Sequence, residues 1–173
     1  MKAVIIAGGL GTRLRPLTLN TPKPLVPVIN RPFTFFQIEL LRKHGIKEII
    51  VNLHYHADQI MESLKDEEKI GVKFYFSLEE EALGTAGAVK NAEEFFDDEP
   101  LIILNGDILT DINISEIVSF HKKNNATVTI ATTPVDDPTK YGLILTDENG
   151  RIQQFIEKPN WDGVNSNWIN AGI

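Results

Sequence analysis

The chain has no cysteine among its 173 residues. Disulfide scaffolds, thiolate nucleophiles, zinc fingers and iron–sulfur centres are thereby excluded. Apolar runs such as Leu101–Leu104 fall far short of the ~20 residues that a membrane-spanning helix needs. The opening Met1-Lys2-Ala3-Val4-Ile5-Ile6 lacks the long apolar stretch and cleavage site of a secretory leader and reads as a strand, so a cytoplasmic protein with no membrane partner is expected. Basic residues are in the minority, 17 against 24 acidic, for a formal charge of −7. That balance argues against a nucleic-acid partner, which would require a basic field to neutralise phosphates. It leaves room for one basic pocket that takes a small anion. With 42% hydrophobic and 24% charged residues, the composition is that of an ordinary globular domain able to bury its own core.

Two hydrophobic periods alternate along the chain. Lys2–Ala7 is a short apolar run ending in glycines, as a fully buried strand would be. Phe33, Phe36, Leu40 and Leu41 recur at helical spacing, with Gly45 as a stop. Glu48–Leu53 reads as a strand, and Ala57, Ile60, Met61 and Leu64 as a helical stripe. Val72–Ser77 is a strand, Ala86, Val89 and Ala92 mark a helix opened by Gly84-Thr85, and Leu101–Leu104 is a further buried strand. Asn113 with Glu116 reads as a helix start. Ala126–Ala131 is expected as a strand, and Leu143–Thr146 and Ile152–Glu157 as a hairpin whose turn ends in Asn149-Gly150. Trp168–Ile173 looks like the entry to another strand. The order predicts an open, Rossmann-like α/β fold with a mixed, mostly parallel sheet and helices on both faces.

The segment after the first strand is Ala7-Gly8-Gly9-Leu10-Gly11-Thr12-Arg13-Leu14-Arg15-Pro16-Leu17-Thr18. The carboxyl end of a parallel strand is where open α/β sheets bind ligands. Glycines there let backbone N–H groups approach phosphate oxygens. A glycine turn that merely packs strand on loop has the same composition. Two familiar phosphate loops fail. The dinucleotide fingerprint needs a third glycine where Leu14 stands, and Pro16, Pro22, Pro24 and Pro27 forbid the helix that should follow. A Walker loop needs Gly-Lys-Ser/Thr, which is missing. What remains is a long, proline-stiffened loop carrying Arg13, Arg15, Lys23 and Arg31, and four cations in an acidic chain suggest a polyphosphate site.

Gly8-Gly9-x-Gly11-Thr12-Arg13-Leu14-x-Pro16-Leu17-Thr18, followed by Pro22-Lys23-Pro24-Leu25, resembles the signature of the sugar-1-phosphate nucleotidyltransferases. Leu83-Gly84-Thr85-Ala86-Gly87-Ala88, Asn105-Gly106-Asp107, Tyr141-Gly142, Glu157-Lys158-Pro159 and Asn170-Ala171-Gly172 follow in that family's order. The resemblance implies the nucleotide-diphospho-sugar transferase fold. It also implies transfer of a nucleotidyl group from a nucleoside triphosphate to a sugar 1-phosphate, releasing pyrophosphate, with Mg²⁺ as cofactor. Negative charge crowds between two phosphates in such a reaction, so positioning and neutralisation carry the catalysis.

The resemblance assigns Arg13 to the triphosphate and Lys23 to the α- or attacking phosphate, as the catalytic pair. Gly8, Gly9, Gly11, Thr12 and Gly84 bind the nucleotide. Asp107, after a buried strand and a glycine, would hold the metal, although Gly-Asp is also a common turn. Gly142, Glu157, Lys158 and Asn170 would contact the sugar phosphate, although adjacent opposite charges such as Glu157-Lys158 are by themselves an ordinary exposed pair. Glu79 matches the position that reads the base edge. A carboxylate only accepts, which suits the donors of guanine. The branch most similar in motif is that of the mannose-1-phosphate guanylyltransferases, with Ala82 departing from its usual proline. GTP is favoured, ATP, UTP and dTTP stay open, and Glu79-Glu80-Glu81 also fits a solvated acidic turn.

Members of the family are considerably longer and carry a second metal-binding aspartate downstream. Residues 1–173 are therefore expected to form the N-terminal part of one catalytic domain, a C-terminally incomplete sheet, weak in nucleotide binding and synthesis and prone to self-association through an exposed edge. A non-catalytic regulatory module of the same fold is the alternative, although such modules tend to lose residues equivalent to Arg13, Lys23 or Asp107.

Overall fold

A computed structural model describes residues 1–68 and 71–173. In chain order its elements are β1 (Ala3–Ile6), β2 (Pro27–Val28), β3 (Arg31–Pro32), α1 (Phe33–Lys43), β4 (Glu48–Leu53), α2 (Ala57–Glu68), β5 (Lys73–Leu78), α3 (Gly84–Asn91) and β6 (Ile102–Asn105). Next come α4 (Ile114–Lys123), β7 (Thr132–Pro134), β8 (Gly142–Thr146), β9 (Ile152–Glu157) and β10 (Trp168–Asn170). The chain divides into two compact units, Met1–Ser119 and Phe120–Ile173.

The first unit is built on a parallel sheet in the order β5-β4-β1-β6. Ala3, Val4 and Ile5 are consecutive and all fully buried, which requires cover on both faces and explains an unbroken apolar run in place of alternation. One face carries Val4 and Ile50, packed with Ala92, Phe95 and Phe96. The α3 helix is tied to that face: Asn52 Nδ2 donates to the Ala88 carbonyl at 2.7 Å, and Asn91 Nδ2 donates to Ser77 Oγ at 2.8 Å. Ala3, Ile5, Ile49 and Val51 point the other way and are equally buried. Ile38 and Leu41 of α1 and Ile60 and Leu64 of α2 supply further buried apolar surface, each worth roughly 1.5–3 kcal/mol. All four strands run the same way, so the loops after β1, β5 and β6 leave from one edge of the sheet.

The α1 helix buries Thr34, Gln37, Ile38 and Leu41; of the expected stripe Leu41 is met, while Phe33, Phe36 and Leu40 are only half-buried. Of the stripe expected at α3, Ala92 is buried and Val89 half-buried, whereas Ala86 is exposed and Ala88 is buried in addition. The α4 start follows the expected reciprocal cap. Glu116 N–H donates to Asn113 Oδ1 at 3.3 Å, and Asn113 Nδ2 donates to Glu116 Oε1 at 2.7 Å.

The second unit holds an antiparallel sheet in the order β7-β10-β8-β9. The β8–β9 hairpin occurs where expected. Its turn is drawn together by Asp147, whose Oδ1 accepts the N–H groups of Asn149 and Arg151, both at 2.9 Å, and Gly150 takes the left-handed conformation. The strand expected over Ala126–Ala131 does not form, and β7 begins at Thr132. The pairing with the β10 segment reaches back only to Ala131, whose carbonyl accepts from Ala171 N–H at 2.9 Å. Val128, without a neighbouring strand, is 71% exposed. β-Branched residues favour a strand only where another strand packs beside them. Among the described residues no helix is long and apolar enough to cross a membrane.

Candidate active site

The glycine loop begins as soon as β1 ends. Ala7 N–H still donates to the Asn52 carbonyl at 3.1 Å. Gly8 is tucked between two neighbours: a Cβ on it would lie 3.4 Å from His54 Cβ and 3.5 Å from Glu79 Oε2. Gly9 faces open space. Gly11 has φ +62°, and a Cβ there would meet Thr18 Cγ2 at 3.0 Å and Lys23 Cβ at 3.2 Å. Buried Thr18 donates its hydroxyl to the Gly11 carbonyl at 2.7 Å. Gly11 is thus required both for its backbone conformation and because two later segments close on it. Thr12 and Arg13 stand exposed on one 3-10 turn, Thr12–Leu14.

Pro22-Lys23-Pro24-Leu25 folds as a second 3-10 turn, closed by Leu25 N–H on the Pro22 carbonyl at 2.8 Å. It aims Lys23 at Asp107, with Nζ 2.5 Å from Oδ2. Asp107 is fixed by the residue before it. Gly106 N–H donates to the Ile6 carbonyl at 2.9 Å, and a Cβ on Gly106 would lie only 2.3 Å from that oxygen. The turn after β6 is therefore pressed onto the end of β1. Gly9, Lys23, Pro24, Thr85, Asn105 and Asp107 line a cleft of about 250 Å³ there. The glycine loop, the lysine and the carboxylate expected from sequence are brought together, while Arg13 lies outside the cleft lining.

Glu79 follows β5 and is 9% exposed, whereas Glu80 and Glu81 are exposed. Its backbone N–H donates to the Leu53 carbonyl at 2.8 Å, and its carbonyl accepts from His54 Nδ1 at 2.9 Å. The carboxylate folds back over the loop that enters α3. Oε2 accepts Leu83 N–H at 3.2 Å, while Oε1 is buried with no partner. Gly84 opens α3 with φ +69°. A solvated acidic turn thus describes Glu80 and Glu81 but not Glu79.

In the second unit, the four residues assigned to the sugar phosphate also converge. Gly142 pairs with Glu157 across β8–β9. Asn170 lies one rung from the Ile169↔Leu143 pair and beside Thr132. Opposed residues in antiparallel strands share a face, so Thr132, Asn170, Gly142 and Glu157 form one row. Lys158 follows directly, with φ +44° and its N–H on the Tyr141 carbonyl at 2.9 Å. Its Nζ is 3.5 Å from Glu157 Oε1, with both side chains exposed. Gly142 has a packing reason as well, since a Cβ would sit 2.5 Å from the Phe155 ring. A hollow of about 940 Å³ along Phe120, Val128, Ile152 and Trp168 contains none of the assigned residues.

A turn held by Asp137 leads into Tyr141-Gly142. The Thr139 hydroxyl donates to Asp137 Oδ1 at 2.5 Å, and Lys140 Nζ lies 2.9 Å from Oδ2. The Thr139 hydrogen bond first, and the Lys140 ammonium second, hold the Asp137 carboxyl down to about 2. A carboxyl lowered on folding adds stability above its unfolded value, and that stability is lost as pH falls through the folded value. Asp137→Asn is therefore expected to lower the urea midpoint at neutral pH. The gap from the parent should close between about pH 4 and about pH 2. A gap that stays constant across that window would mean that the ionised form contributes nothing.

A family model described as "Nucleotidyl transferase" matches residues 2–173. The chain belongs to the nucleotidyl transferase family. Mannose-1-phosphate guanyltransferase of Yarrowia lipolytica is 48% identical over 178 residues, covering 100% of this chain and 48% of its own length. The mannose-1-phosphate guanylyltransferase catalytic subunit beta of Drosophila melanogaster is 46% identical over 175 residues, covering 99% and 47%. HddC from Yersinia pseudotuberculosis, complexed with GMP-PN, is 32% identical with a TM-score of 0.83, over 99% of this chain and 74% of that one. The nucleotidyl transferase chain spans about half the length of the curated relatives it matches. Its fold is the α/β nucleotide-diphospho-sugar transferase type expected from the motifs, with the parallel pairing confined to the first sheet. Thr85 and Gln37 of this nucleotidyl transferase were not among the residues expected from sequence. Thr85 only follows the family glycine, and Gln37 lies inside a stripe that reads as apolar.

Proposed function

We propose that both units belong to one catalytic domain that transfers a guanylyl group from GTP to a sugar 1-phosphate, mannose 1-phosphate in the first instance, releasing pyrophosphate. The buried, unpartnered Oε1 of Glu79 carries this reading. A buried acceptor left unpaired in a native fold calls for a donor. Guanine presents N1–H and an amino group side by side, whereas adenine presents an acceptor at N1. The names of the relatives support the same substrates: mannose 1-phosphate and guanylyl transfer in the enzymes, GMP-PN in HddC.

The glycine loop would offer backbone N–H groups to the phosphates, with Gly9 open for close approach. Arg13, on its exposed turn, would bind the leaving pyrophosphate through forked donors. Lys23 would leave Asp107 for a phosphate oxygen as the sugar phosphate oxygen attacks the α-phosphorus and the bond to the β-phosphate breaks. Glu157, Gly142 and Asn170 would accept and donate to sugar hydroxyls, and Lys158 would neutralise the sugar phosphate. Asp107 fits a metal carboxylate, because it already holds a cation, the Lys23 ammonium. Among the described residues no three acidic or histidine side chains cluster around a point. That suits Mg²⁺, which takes one or two carboxylates and completes its shell with substrate phosphates and water. Bound Mg²⁺ would withdraw charge from the phosphate oxygens at the reacting phosphorus.

Equilibrium binding of GTP, ATP, UTP and dTTP tests the proposal. GTP should bind tightest. Glu79→Gln should narrow that preference by roughly 1–3 kcal/mol, while its remaining oxygen keeps the Leu83 bond. Tighter binding of another triphosphate, or an unchanged ranking in the variant, would return Glu79 to a purely structural role.

A further inference from the structure

Gln37 is a buried polar side chain, 2% exposed, on the second turn of α1. Its Nε2 donates to two carbonyls at once, Asn105 and Ile108, both at 2.9 Å. Those carbonyls bracket the Gly106-Asp107 dipeptide. We propose that Gln37 is a positioning residue that holds the Asp107 turn for the metal, an inference that rests on Asp107 being the metal carboxylate.

The turn is clamped from two sides. On one, Gly106 is pressed on the end of β1, with its N–H on Ile6. On the other, the Gln37 amide joins the entering and leaving carbonyls, and the Ile108 N–H to Asn105 carbonyl bond at 3.2 Å closes the loop between them. A primary amide suits the task because one nitrogen carries two coplanar N–H donors. Glutamate at this site would set an acceptor against two acceptors. Methionine would fill the space, leave the Ile108 carbonyl unpaired and leave the Asn105 carbonyl only its bond from the Ile108 N–H. Oε1 of Gln37 has no partner, so the side chain is not kept here for its own satisfaction. The donors are what the site uses. Residues that orient a metal ligand act at a distance on metal affinity, and their loss usually costs it 10–100-fold.

The experiment uses the full chain, with Gln37→Met as the space-filling variant, Gln37→Glu as the isosteric one and Asp107→Asn as the reference. GTP affinity is measured with Mn²⁺ and again in EDTA. Gln37→Met should lose about tenfold in the Mn²⁺-dependent part of the affinity and leave the EDTA value unchanged, in the direction of Asp107→Asn. Hydrogen exchange should quicken at the Gly106 and Ile108 amides of both Gln37 variants and stay as in the parent at Ile50 and Val51. This second readout needs no ligand, so it separates the strap from the metal assignment. If Asp107→Asn leaves the Mn²⁺ dependence intact, the metal reading fails while exchange still decides on the strap. Unaltered exchange at Gly106 and Ile108, or equal loss of affinity with and without Mn²⁺, would overturn the proposal and make Gln37 a packing residue.

Discussion

Gly106→Ala is expected to cost about 3 kcal/mol of stability, near the top of the usual range for overpacking. The added Cβ would lie 2.3 Å from the Ile6 carbonyl oxygen and 3.0 Å from its carbon. Neither atom can step aside. Ile6 is the last residue of an internal strand, paired with Asn52 on one side and Asn105 on the other. Relief requires the Gly106 turn to lift away, which breaks its 2.9 Å bond to Ile6 and moves Asp107 with it. Gly142→Ala is the control. Its Cβ would meet the Phe155 ring at 2.5 Å, but that ring is 46% exposed and can swing outward. The expected cost there is about 1 kcal/mol, that of a side-chain adjustment. Urea unfolding of both variants measures the contrast. Equal midpoints would show that the end of β1 yields as easily as a surface ring.

The sequence carries the parallel sheet legibly because β1, β4 and β6 are short, nearly unbroken apolar runs and β5 alternates, each bounded by glycine, proline or charge. Helical crossovers between the runs make the strands parallel, and parallel strands bring the loops that carry Gly9, Gly84 and Asp107 to one edge. The helix faces are less legible, and α1 shows why. Its buried stripe, Thr34, Gln37, Ile38 and Leu41, is half polar, while phenylalanines crowd the neighbouring positions. Hydrophobicity alone selects the phenylalanines, and Arg31, packed over the Phe36 ring at 5.3 Å, uses one of them at the rim. Gln37 is invisible to periodicity because its reason for burial is a pair of carbonyls about seventy positions away. The Ala126–Ala131 segment fails differently: its β-branched residues match a strand in composition, but strand formation depends on a neighbour, which composition does not report. Glu79 was legible only through family resemblance. Its separation from Glu80 and Glu81 is a matter of burial, and three consecutive glutamates look alike in sequence.

Lys23→Ala is expected to move two affinities in opposite directions. The Lys23 ammonium and the Asp107 carboxylate neutralise each other at 2.5 Å, both partly exposed. An exposed pair is worth at most about 1 kcal/mol. Freeing Asp107 should therefore strengthen binding of Mn²⁺ alone by no more than about fivefold. The nucleotide loses more. A charged donor aimed at phosphate contributes roughly 1.5–3 kcal/mol to binding. Loss of a donor that meets charge developing in the transition state costs about 10²–10³ in kcat. The two effects cannot both come from a damaged fold, which would weaken metal and nucleotide together. Electron paramagnetic resonance of Mn²⁺ without nucleotide, and GTP binding in EDTA, read them separately. If Mn²⁺ binding falls along with GTP binding, the ammonium is holding the Asp107 turn in place, and the partner exchange at the centre of the proposed mechanism is wrong. If GTP binding in EDTA is unaffected, Lys23 does not reach the phosphates, and the role proposed for the only cation lining the cleft among the described residues is wrong.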